Sequence, residues 1–397
     1  MIGACYPKGF KAAGVAAGIK TNGNKDLSVL VSESPAVAAG VFTKNLVKAA
    51  PVVLSIENLS KSASASAIVF SSGNANAATG EQGMQVAKSM CAACAEKLSV
   101  PESQVLIAQT GLIGISLDEK TAVSGVSKAM AELSADAGKE AAEAMMTTDT
   151  VPKLFGTDVE VSGKTIKVGG MAKGAAMLAP SMATMLGVVT TDANLSAETA
   201  KQILSEAMEE SFHSMVVDGC TSTNDTVFLL ANGESGASEI NGKDSPGYKE
   251  VASAVTAACK DLAKQMAKDG EGATKFLTMK VEGAASSSDA KLASKAVVSS
   301  LLVKCSLAGE GQYWGRVIAE LGASGASFDP NEVDIYYGSH LVCKGGLEHA
   351  HDELAVANLM KEKDITITAK LAAGNSSWEA YGCDLTHAYV DENMGNS

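Results

Sequence analysis

The stretch richest in chemistry runs Gly169-Gly170-Met171-Ala172-Lys173-Gly174-Ala175-Ala176-Met177-Leu178-Ala179-Pro180-Ser181-Met182-Ala183-Thr184-Met185-Leu186. A glycine-rich segment carries one lysine, and an apolar segment follows. Pro180 argues against a continuous helix, because proline lacks the N–H and clashes with the preceding turn. Ala183-Thr184 then enters the apolar run Met185–Val189. A threonine placed there can attack the carbonyl before it, and water can open the resulting ester. The cut frees an α-amino group, whose reference pKa is about 7.7–8.0. That amine can take the proton of its own hydroxyl, the threonine–amine form of an activated nucleophile. The same dipeptide also reads as a β-branched residue starting a buried strand, and local pattern alone favours that plainer reading.

Other groupings carry less. Cys91-Ala92-Ala93-Cys94 lies in an Ala-rich helical pattern with no second Cys or His pair nearby, which indicates buried small residues rather than a zinc or redox site. His349 and His351 are two residues apart and diverge on a helix, so no metal site is expected. Asp218, Asn224 and Asp225 suggest turn formation more than cation binding.

These residues need elements to hold them. Strand-like runs occur at Ser28–Ser32, Ala67–Ser71, Val105–Gln109, Leu186–Thr190, Met215–Asp218, Thr226–Leu230, Phe276–Val281, Val333–Tyr337 and Ile365–Ala369. Hairpins are expected around Val159–Val168 and Val333–Cys343. Helical spacing is clearest after Ser196, a suitable N-cap, where Ala200, Ile203, Leu204, Ala207, Met208 and Phe212 share a face. A second run, from Tyr248 through Val251, Val255, Ala258, Cys259, Leu262 and Met266, stops at Gly270. Gly80–Leu98, Leu117–Leu133 and Leu347–Met360 are further helix candidates, and Lys61–Ser66 and Gly283–Asp289 are loop candidates. The interleaving predicts an α/β (mixed α+β) protein with two lobes of mixed sheets covered by helices.

Beyond these local patterns, the Gly169–Leu186 stretch resembles the self-cleavage motif of the ornithine acetyltransferase family, also called glutamate N-acetyltransferases. Family-like segments occur in order along nearly the whole chain. They are Pro7–Gly14, Ser72-Gly73-Asn74-Ala75-Asn76-Ala77, Gln109-Thr110-Gly111-Leu112-Ile113-Gly114 and Met146-Thr147-Thr148-Asp149-Thr150. After the motif come Thr190–Ala193, Asp218–Thr226, Gly270-Glu271-Gly272-Ala273-Thr274-Lys275 and Tyr313-Trp314-Gly315-Arg316. Departures are Ser181 for the usual Asn, Ala78 for a frequent Cys, Gly311-Gln312-Tyr313 for Asp-Pro-Asn, and a tail one residue short.

The resemblance implies a self-cleaved enzyme with an N-terminal threonine nucleophile. An α fragment, 1–183, and a β fragment, 184–397, would stay together, with two of each in the assembly. Thr184 would be nucleophile and base, and Thr110 with the Gly111 N–H would form the oxyanion hole. Thr147, Lys173, Thr184, Glu271, Asn393 and Ser397 would bind substrate, Lys173 meeting a carboxylate and Glu271 an ammonium. The acetyl group would pass from N2-acetylornithine to glutamate through acetyl-Thr184. No cofactor is implied, although some members also accept acetyl-coenzyme A as donor. Two alternatives stay open: a self-processing aminopeptidase-like hydrolase, and a non-catalytic amino-acid-binding relative.

Composition sets outer bounds. A length of 397 residues with 46% hydrophobic content suits two lobes, and only 4% aromatics makes the core aliphatic. The net charge of −13 and the lack of a basic stripe exclude nucleic acid as an expected partner. No run of about 18 apolar residues occurs, so no membrane span is expected. Eight scattered cysteines and no N-terminal secretion signal predict reduced thiols in a cytoplasm.

Overall fold

A computed structural model describes residues 2–178 and 185–394. They fall into two compact units, the first holding 2–174, 185–212 and 221–262, the second 175–178, 213–220 and 263–394. This division differs from a split at residue 183, because residues 185–212 return to the first unit.

The first unit contains β1 (Phe10–Val15), β2 (Leu27–Phe42), β3 (Ser64–Ser71), β4 (Val105–Gln109), β5 (Lys153–Val161), β6 (Lys164–Lys173) and β7 (Leu186–Thr191). A two-residue strand in the second unit, β8 (Met215–Val216), precedes the first unit's last strand, β9 (Thr226–Ala231). The resulting eight-stranded sheet has the order β4-β3-β2-β9-β7-β6-β5, with β1 paired to β2. It is mixed: β3 and β4 are parallel, as are β7 and β9, while β6 is antiparallel to β7. Strands on both sides of Ala183-Thr184 therefore share this sheet.

The apolar runs are continuous because both sheet faces are buried. Val29, Val69, Val105 and Ile107 pack with Val86, Met90, Val126 and Ala129 of the helices Gly80–Leu98 and Glu119–Ala131. The alternate residues Leu30, Ile68, Phe70 and Leu106 pack on the other face with Ala141, Ala142 and Met145 of the helix Gly138–Met145. β5 and β6 form the expected hairpin, turning through Ser162 and Gly163 at φ 50° and 77°. Positive φ at both turn residues matches the right-handed strand twist, and glycine accepts it without strain.

The second unit adds β10 (Phe276–Ala284), β11 (Asp334–Tyr337), β12 (His340–Lys344), β13 (Leu347–Glu348), β14 (Asp364–Lys370) and β15 (Ser376–Cys383). With β8 they form a seven-stranded mixed sheet ordered β13-β12-β11-β14-β10-β15-β8. Alternate residues Leu277, Met279, Val281, Ile365 and Ile367 enter one core with Ala293, Val297, Val317 and Leu321.

Most expected elements form where the pattern puts them. Ser196 caps the helix Ala197–Glu209 by accepting from the Thr199 N–H, and a helix spans Tyr248–Lys268. The expected helix Leu347–Met360 is only half present. Leu347–Glu348 is β13, and the helix Glu353–Leu359 begins where Asp352 accepts from the Ala355 N–H at 2.9 Å. The loop candidate Gly283–Asp289 shrinks as well, because Ser286 caps a helix Ser287–Ser299. Cys91 and Cys94 are buried, as expected, and burial pushes the Cys94 thiol up to about 12. Among the described residues all eight cysteines are free thiols, and no helix is long and apolar enough to cross a membrane.

Candidate active site

In the first unit, β4 ends at Gln109 and delivers Thr110-Gly111. The Thr110 N–H donates to the Ser71 carbonyl at 3.0 Å and the Leu112 N–H to that of Gly73 at 3.4 Å. This seats the segment against the loop after β3. Gly111 has φ +133°, and a Cβ there would lie 2.3 Å from the Gly73 carbonyl carbon. No other residue fits so close a backbone approach. Asn74 stitches the two segments by donating to the Ile115 carbonyl at 3.0 Å, while its own carbonyl accepts from the Asn76 N–H at 2.8 Å. Asn76 in turn donates to the Gln109 side chain at 2.9 Å.

Lys173, the last residue of β6, is 2% exposed, and its ammonium donates to the Thr147 hydroxyl at 2.7 Å. The structure thus brings these two site candidates together. Behind them lies Asp149, which the Thr-Thr-Asp segment contained but which no sequence signal singled out. It pairs with Lys153 at 2.5 Å and Lys173 at 3.6 Å, and accepts the N–H groups of Gly174 at 2.6 Å and Thr147 at 3.1 Å. Burial alone would raise its pKa. Lys173, Lys153 and the Gly174 amide overcome burial and hold it well below the usual carboxylate range. Lys20 adds a third ammonium to this region, donating to the Met146 carbonyl at 2.7 Å. Burial lowers its pKa; Asp26 opposes that, and Lys173 adds to it.

Asn224 and Asp225, read from sequence as turn formers, do more. The Asn224 amide donates to the Ala75 carbonyl at 2.6 Å and the Gln109 carbonyl at 2.8 Å. It thus grips the chain immediately before Thr110. Its neighbour Asp225 accepts the Met185 N–H at 3.2 Å, immediately after Thr184. Asp225 is fully buried, and burial raises its pKa well above the usual carboxylate value despite the Met185 amide. Ala183 and Thr184 themselves lie outside the described residues.

The second unit brings Glu271 and Asn393 together. Glu271 is 8% exposed, and its N–H donates to the Ala175 carbonyl at 2.9 Å. Asn393, in the helix His387–Asn393, donates to the Glu271 carboxylate at 2.6 Å and the Tyr389 carbonyl at 2.8 Å. The helix is fastened at its start and middle: the Tyr389 hydroxyl donates to Asp218 at 3.2 Å and the Thr386 hydroxyl to the Gly272 carbonyl at 2.7 Å. Burial first, then Asp218, pushes the Tyr389 phenol upward. Asp218 also receives the N–H groups of Met177 at 2.5 Å and Leu178 at 2.9 Å. Ser397 lies outside the described residues.

The sequence profile of the ArgJ family matches residues 11–395. The arginine biosynthesis bifunctional protein ArgJ of Symbiobacterium thermophilum is 47% identical over 393 residues, covering 98% of this chain and 97% of its own. That of Thermotoga neapolitana is 43% identical over 392 residues, covering 98% of each. A crystal structure of the ArgJ protein from Bacillus halodurans aligns at 37% identity with a TM-score of 0.51, covering 52% of this chain and 98% of that one.

Proposed function

The chain belongs to the ArgJ family, and from that membership we propose that it transfers an acetyl group from N2-acetylornithine to glutamate through acetyl-Thr184. The transfer follows self-cleavage between Ala183 and Thr184. The observation that carries this reading is the Asn224-Asp225 pair. Two consecutive residues grip the chain beside Thr110 and the chain beside Thr184. Such a clamp suits a reaction in which nucleophile and oxyanion donors must be held in register, since a misplacement of about 1 Å can cost ~10²-fold in rate.

In the cycle, the Thr184 Oγ attacks the acetyl carbonyl while its proton passes to the α-amine. The Thr110 hydroxyl and Gly111 N–H take the charge on the carbonyl oxygen. Ornithine leaves with the proton, glutamate enters, and its amine removes the acetyl group. Lys173 and Thr147 receive a substrate carboxylate, and Glu271 with Asn393 and Ser397 receives the ornithine ammonium. Acetyl-coenzyme A serves as a second donor, and no metal or organic cofactor takes part.

We further propose that fragments 1–183 and 184–397 remain associated, two of each, in the cytoplasm. The hydrogen-bonded ladder between β6 and β7 supports the association, because those strands come from opposite fragments. The B. halodurans chain, about half as long as this one by its coverage, is what a two-fragment relative would yield.

The test is intact mass of wild type beside Thr184→Ala, followed by two-substrate kinetics. Two fragments in wild type, an uncut variant and parallel reaction lines are expected. An uncut wild type or intersecting lines would overturn the covalent mechanism. Hydrolysis of small peptides by the same preparation would instead favour the aminopeptidase-like alternative.

A further inference from the structure

Lys20 touches both halves of the site in the first unit, and no step of the proposed cycle uses it. Its backbone is fixed from below by Asp26, the fully buried residue before β2. The Asp26 carboxylate accepts four consecutive N–H groups, those of Ala17 at 2.6 Å, Gly18 at 3.1 Å, Ile19 at 2.7 Å and Lys20 at 2.9 Å. Successive amides wrapped around one anion form a nest, which leaves the loop little freedom. The Asp26 carbonyl also accepts the Ser72 N–H at 2.8 Å, joining this loop to the segment after β3.

From that fixed start the Lys20 side chain crosses Gly73. A Cβ on Gly73 would lie 2.8 Å from the Lys20 Cγ, so the missing side chain makes room for the lysine stem. Gly73 is also the residue on which Gly111 rests, and its carbonyl accepts the Leu112 N–H. At the far end the ammonium donates to the Lys25 carbonyl at 2.9 Å and the Met146 carbonyl at 2.7 Å. The Met146 carbonyl belongs to the peptide that leads into Thr147. The N–H of that same peptide donates to Asp149 at 3.1 Å. One peptide plane is thereby held at both edges, by Lys20 on its oxygen and by Asp149 on its nitrogen. Thr147 projects from this plane, and its hydroxyl meets the Lys173 ammonium at 2.7 Å. A charged donor makes the stronger kind of hydrogen bond, as suits a strut. The Ser72 hydroxyl, donating to the Ala144 carbonyl at 2.7 Å, is a second tie between the same two segments.

We propose that Lys20 is a positioning residue: it sets the distance between the oxyanion donors, Thr110 and the Gly111 N–H, and the carboxylate anchor, Thr147 with Lys173. The assignment rests on the roles given above to those four residues. In N2-acetylornithine the acetylated nitrogen and the carboxylate share one carbon, so bond lengths fix a short span between the two groups. A substrate held by its carboxylate presents the acetyl carbonyl to the oxyanion donors only when the protein matches that span. Lys20, with its stem on Gly73 and its head on Met146, bridges the corresponding gap in the protein. It touches neither substrate nor reacting atoms and acts through Thr147.

The experiment compares wild type, Lys20→Met and Lys20→Arg on two donors, N2-acetylornithine and its analogue without the carboxylate, N-acetyl-1,4-diaminobutane. Each protein is expressed as the full chain and checked by intact mass. Met keeps the stem against Gly73 and removes the ammonium. For Lys20→Met, kcat on acetylornithine should fall roughly 10²-fold with little change in KM, and turnover of the analogue by less than about tenfold, because only the anchored substrate depends on the span. Lys20→Arg keeps a charged donor for the Met146 carbonyl and should restore most of the loss. Equal losses on both donors overturn the proposal, since a merely structural lysine would not tell them apart. A raised KM with kcat unchanged overturns it too, making Lys20 a direct substrate contact. So does a folded Lys20→Met that stays uncut beside a cut wild type, which places Lys20 in maturation. A wild type that does not prefer acetylornithine to the analogue refutes the carboxylate anchor itself and is distinguishable from all three. Should Lys20→Met not fold, Lys20→Gln, whose shorter polar end falls short of Met146, is read by the same outcomes.

Discussion

Replacing Asp149 by Asn removes a carboxylate that pairs with two buried ammonium groups, those of Lys153 and Lys173, while leaving the side chain's shape. Lys153 and Asp149 are both 0% exposed, and Lys173 is 2% exposed, so solvent screens none of the three. Breaking a buried ion pair by removing one partner typically costs about 3–5 kcal/mol, because a buried charge is left uncompensated. The loss expected for Asp149→Asn at pH 7 is therefore ~3–5 kcal/mol, a large share of the roughly 5–15 kcal/mol that stabilises a folded domain. The measurement is urea unfolding in a Thr184→Ala background, which keeps the chain in one piece. The pH dependence supplies a second check. Burial opposes ionisation of Asp149, but Lys173 and Lys153 depress its folded pKa below the unfolded value of about 3.9. Its contribution is thus fully present above about pH 4 and is lost as pH falls through the folded value. The difference between parent and variant should be constant from pH 5 to 7 and narrow below pH 4. A loss under about 1 kcal/mol at pH 7, or a difference that widens in acid, would refute the reasoning.

Further expectations are open to simpler assays. Gly111→Ala, whose Cβ would strike the Gly73 backbone at 2.3 Å, should lower kcat by about 10²-fold or more while the far-ultraviolet circular dichroism stays as in wild type; unchanged kcat would remove Gly111 from the oxyanion hole. Asn224→Ala leaves the Ala75 and Gln109 carbonyls without their amide donor, at about 1–3 kcal/mol for each buried group left unsatisfied; a melting temperature equal to wild type would contradict this. Lys173→Met should raise the KM for acetylornithine more than it lowers kcat, and an unchanged KM would sever Lys173 from the substrate carboxylate. In native protein a thiol reagent should modify Cys220 and Cys305, the exposed pair, and spare Cys91 and Cys94 until unfolding.

Much of the frame was legible in the chain itself. Val105–Gln109 forms a strand at the predicted bounds because an apolar run of four before Gln109, buried on both faces, leaves little freedom. Ser196 caps its helix because side-chain capping is a local interaction. Thr147 with Lys173, and Glu271 with Asn393, were legible as candidates through family resemblance and do meet in space. The helix Ser287–Ser299 escaped notice because its Ser- and Ala-rich sequence carries weak apolar periodicity and follows a segment that resembles a loop; Leu301–Ala308 escaped because its Leu and Val residues fall on exposed and buried faces alike.

What tertiary structure alone decided is where the polar groups find partners. An aspartate in a Thr-Thr-Asp segment looks like any loop acid. Only folding places Asp149 between Lys153 and Lys173, against the amide of Gly174, 25 residues away. Asn224 and Asp225 look like turn formers until β4, β7 and β9 assemble; then Asn224 reaches Gln109, 115 residues distant, and Asp225 reaches Met185, 40 residues distant. Periodicity records which residues avoid water, a property each residue largely carries with it. A buried hydrogen bond depends on the position of a second group, and in these cases that group is set by sheet pairing between strands far apart in the chain.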